Sequence, residues 1–431
     1  MREYLKKLPR EIQDLIHLAS ETVAKHNMSA YLVGGCVRDL ILGVKNLDLD
    51  IVVEGNGISF AEDFAKFLKA KIIRHRRFGT ATLVVSESKL KVDIATARKE
   101  FYPEPAHLPE VTGGTLQDDL KRRDFTINAM AISINKDNFG RLVDFFNGKK
   151  ALNDKKIRIL HNLSFVDDPT RILRAIRFEK RYNFRIEFKT LKCLKEAVKL
   201  KMLEKVQPQR LRDELILMLQ EAHSLKQIKR IQELVGFGFI NPHLSISGKG
   251  YRLLNSIEEQ ITWFKRKYPR HRQLDTWLIY FMGLFDSLDI SGVKSTCRRF
   301  VFKRGEEKRI LTCKKIVHKL IRELSRDGIR PSEIFDLLEP LSYEVILLAK
   351  AKSKNRNIQR HIENFLKIYN GTHIYISGDD LRKLGIAPGP DYQKIFKKVL
   401  HAKLNGKIKA RQEEVVLIKK LVRPRLMEQM K

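Results

Sequence analysis

Residues 31–54 read YLVGGCVRDLILGVKNLDLDIVVE, and this stretch decides the fold. An apolar run leads into a Gly-Gly turn, a short helix follows, and a second apolar run carries Asp48 and Asp50, which spells strand, turn, helix, strand. Side chains alternate along a strand, so two carboxylates one residue apart project from one face. Leu47, Leu49 and Ile51 project from the other, into a core. Like charges held side by side on a rigid strand are costly unless a cation lies between them. Mg²⁺ takes oxygen ligands and is commonly held by one or two carboxylates plus substrate phosphates, which makes the pair a candidate magnesium site. Gly34 and Gly35 let the backbone approach a phosphate, and Arg38 can clamp one. Together these residues point to a metal-dependent nucleotide site.

Outward from this stretch, residues 3–27 place Leu15, Ile16, Leu18, Ala19 and Val23 at helical spacing, predicting a helix that leads into the first strand. Gly55–Gly57 predicts a turn and Ile58–Leu68 a further helix. Thr80–Val85 and Leu90–Ala95 read as a hairpin joined by a turn over 86–89. Asp93 lies in its second strand, and antiparallel pairing could set it beside Asp50. There it could accept the proton of an attacking hydroxyl or complete a metal cage, although an ordinary strand-end aspartate reads the same way. Residues 96–117, with three prolines and a Gly-Gly, read as a long functional loop holding Arg98, Glu100 and Tyr102. Thr115–Leu120 predicts a capped helical turn, Phe125–Ile134 a buried element and Arg141–Phe145 a strand. From about Asp167 onward the pattern is helical.

The bulk properties give the setting. A chain of 431 residues has room for several domains, and 43% apolar with 31% charged residues is the profile of a globular protein. The net charge is +33, of which residues 1–150 carry only +4 and the remainder +29. Enrichment of both signs is a habit of heat-adapted proteins, but it does not produce an excess of one sign. The excess implies a polyanionic partner, nucleic acid ahead of a membrane surface. Cys36, Cys193, Cys297 and Cys313 lack metal-ligand spacing and read as thiols in a reducing compartment. The longest apolar run, Thr276–Phe285, is too short to span a bilayer, and no signal peptide opens the chain. The expected location is the cytoplasm.

Two further segments carry chemistry. Lys121-Arg122-Arg123-Asp124 adjoins the apolar run Ile127–Ile134 and the amide of Asn128. A surface charge run is the ordinary reading, but two arginines here could neutralise charge on a leaving pyrophosphate. In FVDDPTRILRAIRFEKR (165–181), Pro169 after two aspartates signals a helix start. Asp168, Arg171, Arg174 and Arg177 then recur every third residue, a slowly drifting polar stripe opposite Ile172, Leu173 and Ile176. A solvated basic face is the alternative. An Asp–Arg pair offers an acceptor and donors. That pattern matches the Watson–Crick edges of cytosine and adenine, whereas uracil and guanine present the reverse order. Misfaced buried polar groups give large discrimination, so Asp168 and Arg171 could select C and A without a template.

The sequence resembles the class II tRNA nucleotidyltransferases, a family that includes CCA-adding enzymes, A-adding enzymes and bacterial poly(A) polymerases. The resemblance rests on LVGGCVRDLILG (32–43), DLDIVVEG (48–55), RRDFTINAMA (122–131), DDPTRILRAIRF (167–178), QRLRDEL (209–215) and ISGDDLRKLGIAPGP (376–390), in order along nearly the whole chain. Many members carry Glu where Asp167 stands. The resemblance implies an α/β nucleotidyltransferase head with a polymerase-β-like mixed sheet, then an all-α neck, body and tail. The corresponding spans are residues 1–150, 151–225, 226–350 and 351–431. It implies Mg²⁺ on Asp48 and Asp50, triphosphate contacts from Gly34, Gly35 and Arg38, and support from Arg122, Arg123 and Asn128. Asp168 and Arg171 would read the incoming base, backed by Arg174 and Arg177. The substrates would be CTP and ATP, and the partner the acceptor arm and 3′ end of tRNA. Members that add CC alone have a shortened loop where 93–118 is long here, which favours a chain able to add A. The alternatives are an enzyme restricted to A, a poly(A) polymerase, or an RNA-binding protein on an inactive head.

Overall fold

The computed structural model describes residues 2–44, 48–85, 90–269 and 273–429. The turn expected over 86–89 and the inward-facing Leu47 lie outside the described residues. The chain forms two compact units, Met1–Phe239 and Ile240–Lys431. Among the described residues no helix is long and apolar enough to cross a membrane.

The first unit is built on a seven-stranded sheet. The segment predicted as one helix over 3–27 is two, α1 (Arg2–Leu5) and α2 (Arg10–Lys25), because Pro9 lacks an N–H and opens the second helix rather than continuing the first. β1 (Ser29–Val33), α3 (Gly35–Leu42), β2 (Leu49–Glu54) and α4 (Gly57–Leu68) follow the expected order. β3 (Ala70–His75) is an edge strand that its Lys, Arg and His residues concealed. It pairs antiparallel with β4 (Thr80–Val85), and β4 with β5 (Lys91–Thr96). Next come β6 (Arg98–Phe101), β7 (Glu110–Gly113), α5 (Leu116–Lys121), β8 (Ala131–Ser133) and β9 (Leu142–Val143). The order across the sheet is β3-β4-β5-β2-β1-β8-β9.

Three expectations need correcting. β5 lies beside β2 in parallel, not antiparallel, because the extra strand β3 reverses the chain once more; the register still pairs Asp50 with Asp93. Residues 96–117 are not an unstructured loop, since β6 and β7 form a separate two-stranded hairpin. The strand expected over 141–145 is only two residues long.

α4 packs on the β2–β5 portion of the sheet, burying Phe60, Ala61 and Phe64. Val33, Val52, Ala97, Leu116, Leu120, Ala129 and Ala131 form a second cluster, which seats α5 beside the sheet. Thr115 caps α5 with the reciprocal bonds of a capping box, Asp118 answering at N3. Thr82, Asp93 and Asp50 remain in register across β4, β5 and β2.

The rest of this unit is almost wholly helical: α6 (Gly148–Asn153), α7 (Ser164–Asp167), α8 (Thr170–Arg181), α9 (Phe188–Lys199), α10 (Pro208–Gln220) and α11 (Ser224–Leu234). α8 buries Ile172, Leu173, Ala175 and Ile176, and α10 and α11 pack on it. The second unit contains only helices. Its core holds the fully apolar helix Thr276–Leu284 and a stacked Trp277–Phe302 pair. At the C-terminal end, Leu381, Val399 and Ile418 close a small cluster around the buried Glu414, which accepts from the Tyr375 and Ile376 backbone N–H groups.

The seat of α5 is testable. Leu120 is fully buried, so Leu120→Ala is expected to cost about 2–5 kcal/mol. Chemical denaturation followed by tryptophan-independent far-UV signal reads this directly; a loss below about 1 kcal/mol would contradict the packing described.

Candidate active site

A cavity of about 730 Å³ opens in the first unit, within the range of small-molecule sites. Its floor is the Gly-Gly turn and Asp50. Gly34 has φ +69°, a left-handed conformation that glycine adopts without strain. A Cβ there would also run into the Arg123 guanidinium, so the turn and the arginine fit only because that atom is missing. The first turn of α3 begins here, which aims backbone N–H groups and the positive end of a helix at the cavity.

Asp50 is half-buried, while Asp48 is exposed just before β2. Burial pushes the Asp50 carboxyl up to about 6, Asp93 and Asp48 adding to the effect against the pull of Arg123 and Arg38. Asp93 accepts a 2.6 Å hydrogen bond from Thr82 Oγ1. Among the described residues no three His, Cys, Asp or Glu side chains form a closed metal-binding group. An open carboxylate pair that resists ionisation fits Mg²⁺, which keeps waters and substrate phosphates as its other ligands.

The arginines around the cavity are pinned by acids. Arg38, itself buried, donates through Nε and Nη2 to Asp39 at 2.8 and 2.9 Å and through Nη1 to Asn128. Its guanidinium also lies over the Tyr182 ring, and Tyr182 Oη donates to Asp39. Arg122 and Arg123 both donate to Asp119, which has no exposed surface. Burial alone would raise the Asp119 carboxyl, but Arg123 and Arg122 hold it below the usual carboxylate range. Arg122 also pairs with Glu100, as does Arg98, and Tyr102 Oη donates to the same carboxylate. The hairpin β6–β7 is thereby tied to the wall of the site.

α8 supplies another wall. The Asp168 Oδ1 atom takes three hydrogen bonds, from the Thr170 N–H, the Thr170 hydroxyl and Arg210 Nη2 on α10 at 2.8 Å. Arg171 is buried and spends Nη1 on Ser164 and Nη2 on the Arg122 carbonyl. Arg174 donates twice to Asp124, at 2.8 and 2.6 Å. Burial would raise the Asp124 carboxyl, yet Arg174 and the Asn128 amide hold it down at about 2. Arg177 pairs with the buried Glu214 of α10 at 2.7 Å. The stripe is therefore not a solvated basic face.

The cavity thus brings together Gly34, Gly35, Arg38 and Asp50 from the opening stretch. It adds Arg122, Arg123 and Asn128 from the segment after α5, and Asp168, Arg171 and Arg174 from α8. Asp48, Asp93 and Arg177 do not line it. The cation nearest Asp168 is Arg210 and not Arg171, because the helical step of three rotates Arg171 toward Ser164. Sequence reasoning also missed Asp39, Asp119 and Glu100. The i, i+3 and i, i+4 spacing of Asp119 to Arg122 and Arg123 was a readable signal; Glu100 acts through tertiary contacts and left none.

Residues 30–158 match the family model described as the poly A polymerase head domain. The chain is 38% identical over 95% of its length to the A-adding tRNA nucleotidyltransferase of Geobacter sulfurreducens, and spans only 47% of that protein. It is 32% identical to the A-adding tRNA nucleotidyltransferase of Halalkalibacterium halodurans over 93% of this chain and 90% of that one. A solved Thermotoga maritima CCA-adding enzyme complexed with tRNA_CCA superposes with a TM-score of 0.75 at 35% identity, covering 97% of this chain and 98% of the other.

Two outcomes follow from the buried charges. A carboxyl titrating near 6 in the fold and near 3.8 unfolded makes the folded state bind more protons, so its stabilising share is lost as pH rises through that window. Asp50→Asn should then raise metal-free stability at pH 7 by about 1–3 kcal/mol, discounted for partial exposure, with no gain below about pH 4. An equal or lower melting temperature at pH 7 would contradict the assigned environment. Arg174→Met strands the buried Asp124 and should cost about 3–5 kcal/mol in urea denaturation at pH 7, with Asp124→Asn in the same chain recovering part of the loss.

Proposed function

This chain belongs to the class II tRNA nucleotidyltransferases, and from that footing we propose that it is a template-independent enzyme that adds C, A or both from CTP and ATP to the 3′ end of tRNA, releasing pyrophosphate. The observation that carries the reading is one cavity in which an open carboxylate pair, a Gly-Gly turn at a helix start and a shell of acid-pinned arginines converge on a polar wall from α8 and α10.

In this reading the 3′ hydroxyl of the acceptor attacks the α-phosphorus, the bond to the bridging oxygen breaks, and pyrophosphate leaves. Gly34 and Gly35 admit the triphosphate to the backbone N–H groups at the start of α3, and Arg123 neutralises the leaving charge. Arg38, Arg122 and Asn128 hold that wall in place. Asp93 accepts the hydroxyl proton, its orientation fixed by Thr82. Asp48 and Asp50 hold Mg²⁺, which supplies charge neutralisation at the reacting oxygens when bound. The rest is positioning, the main source of rate in phosphoryl and nucleotidyl transfer.

Asp168 reads the base. Its Oδ1 is committed to Thr170 and Arg210, so Oδ2 is the acceptor offered to an exocyclic amino group. Arg210, or Arg171 after release from Ser164, is the donor; Arg174 and Arg177 brace the helix. Head and neck, residues 1–150 and 151–225, carry out the reaction; body and tail, 226–350 and 351–431, grip the acceptor arm in the cytoplasm through the positive excess. Addition of A alone is a second reading, favoured by the two relatives named as A-adding.

The test supplies CTP and ATP, separately and together, to tRNAs ending before C74, after C75, or complete. Incorporation into the incomplete tRNAs, lost in Asp48→Ala and on chelation of divalent ions, is the expected result. A added only to the tRNA ending in CC selects the second reading, and long A tails on unrelated RNA would sink the tRNA reading.

A further inference from the structure

The cavity is charged almost throughout, yet three large apolar side chains at its mouth are exposed: Phe78, at 48%, Leu108 at 51% and Leu217 at 45%. They come from three separate elements, the turn between β3 and β4, the β6–β7 connection and α10. Scattered exposed apolar residues need no explanation, but their convergence on one polar opening does. Phe78 is the aromatic among them, and its backbone is held in place. The Phe78 carbonyl accepts from Arg98 Nη1, and the Gly79 carbonyl accepts from the Thr96 N–H at 3.0 Å. A rigidly mounted ring with an open face is a stacking platform for a nucleic-acid base.

The sheet order says which base. In-line transfer puts the attacking oxygen opposite the leaving group. Gly34 follows β1, on one side of Asp50, with the Arg123 guanidinium against it, so the pyrophosphate departs toward that side. β5 with Asp93, then β4 and the turn bearing Phe78, lie on the opposite side of β2. The attacking hydroxyl therefore arrives from the Phe78 side. Resting on the reading of this cavity as a nucleotidyl-transfer site, we propose that Phe78 stacks on the terminal base of the RNA acceptor and so sets the position of its 3′ hydroxyl. The incoming nucleotide is held on the other side and does not touch the ring.

Steady-state kinetics with ATP and a tRNA ending in CC test this. Phe78→Ala should lower kcat/KM for the tRNA about 5- to 150-fold, the range of a lost base–aromatic stack, with KM for ATP unchanged. Phe78→Leu keeps the apolar bulk without the aromatic face and should fall with it, whereas Phe78→Tyr and Phe78→Trp should stay close to the unaltered protein. Without nucleotide, the preference in binding for a tRNA ending in CC over the same tRNA lacking those two residues should shrink in Phe78→Leu. A Phe78→Leu protein as active as the original, or an effect confined to KM for ATP, would overturn the assignment. Failure of the unaltered protein to extend any tRNA would instead overturn the reading of the site itself.

Discussion

Every arginine at the cavity rests on a carboxylate or on a fixed oxygen, and the geometry of the site depends on that pairing. Arg38 has Asp39, Arg122 and Arg123 share Asp119, Arg174 has Asp124, and Arg210 has Asp168. Behind them Glu214 takes Arg177. Asp39, Asp119, Asp124 and Glu214 are all buried. A lone buried carboxylate is expensive, and so is an arginine confined in a narrow space with others of its charge. Paired, the two hold each other in a single rotamer. The guanidiniums then stand at fixed positions around an opening before any phosphate arrives, which is the form of preorganisation that stabilises developing charge without reorganisation.

The same pairing sets what the fold tolerates. Asp50 is left with a raised carboxyl because its neighbours include Asp93 and Asp48, and the arginines near it only partly offset its burial. The site is therefore a place where stability is given up locally, while the buried acids around it return stability by holding their arginines. Gly34 is the tightest point. The backbone there is left-handed and the Arg123 guanidinium occupies the space of a side chain, so the turn, the arginine and Asp119 behind it stand or fall as one unit.

Much of this was legible in the residues. The order β1, turn, α3, β2 could be read from residues 31–54, and the capped start of α5 from Thr115 and Asp118. Periodicity and capping are local, so local sequence carries them. What it did not carry was pairing across the chain. β3 is a charged edge strand without alternation, and its omission turned the β2–β5 contact from parallel to antiparallel. The hairpin β6–β7 was obscured by prolines that fall in its connection. The helical stripe Asp168–Arg177 was correctly seen as one surface, but its partners lie on α10 and after α5, so the assignment of Arg171 as the close companion of Asp168 gave way to Arg210. Matches over nearly the whole chain with solved relatives agree with the head-plus-helices architecture.

On this account the opening stretch provides the chemistry and α8 decides which nucleotide undergoes it. The most direct measurement is single-turnover incorporation of each of the four ribonucleotides into a tRNA ending in CC, comparing the unaltered protein with Asp168→Ala, alongside the affinity of both for that tRNA. The account predicts that the variant loses most of its preference among bases while binding tRNA nearly as well. Unchanged selectivity in a folded Asp168→Ala protein would contradict it.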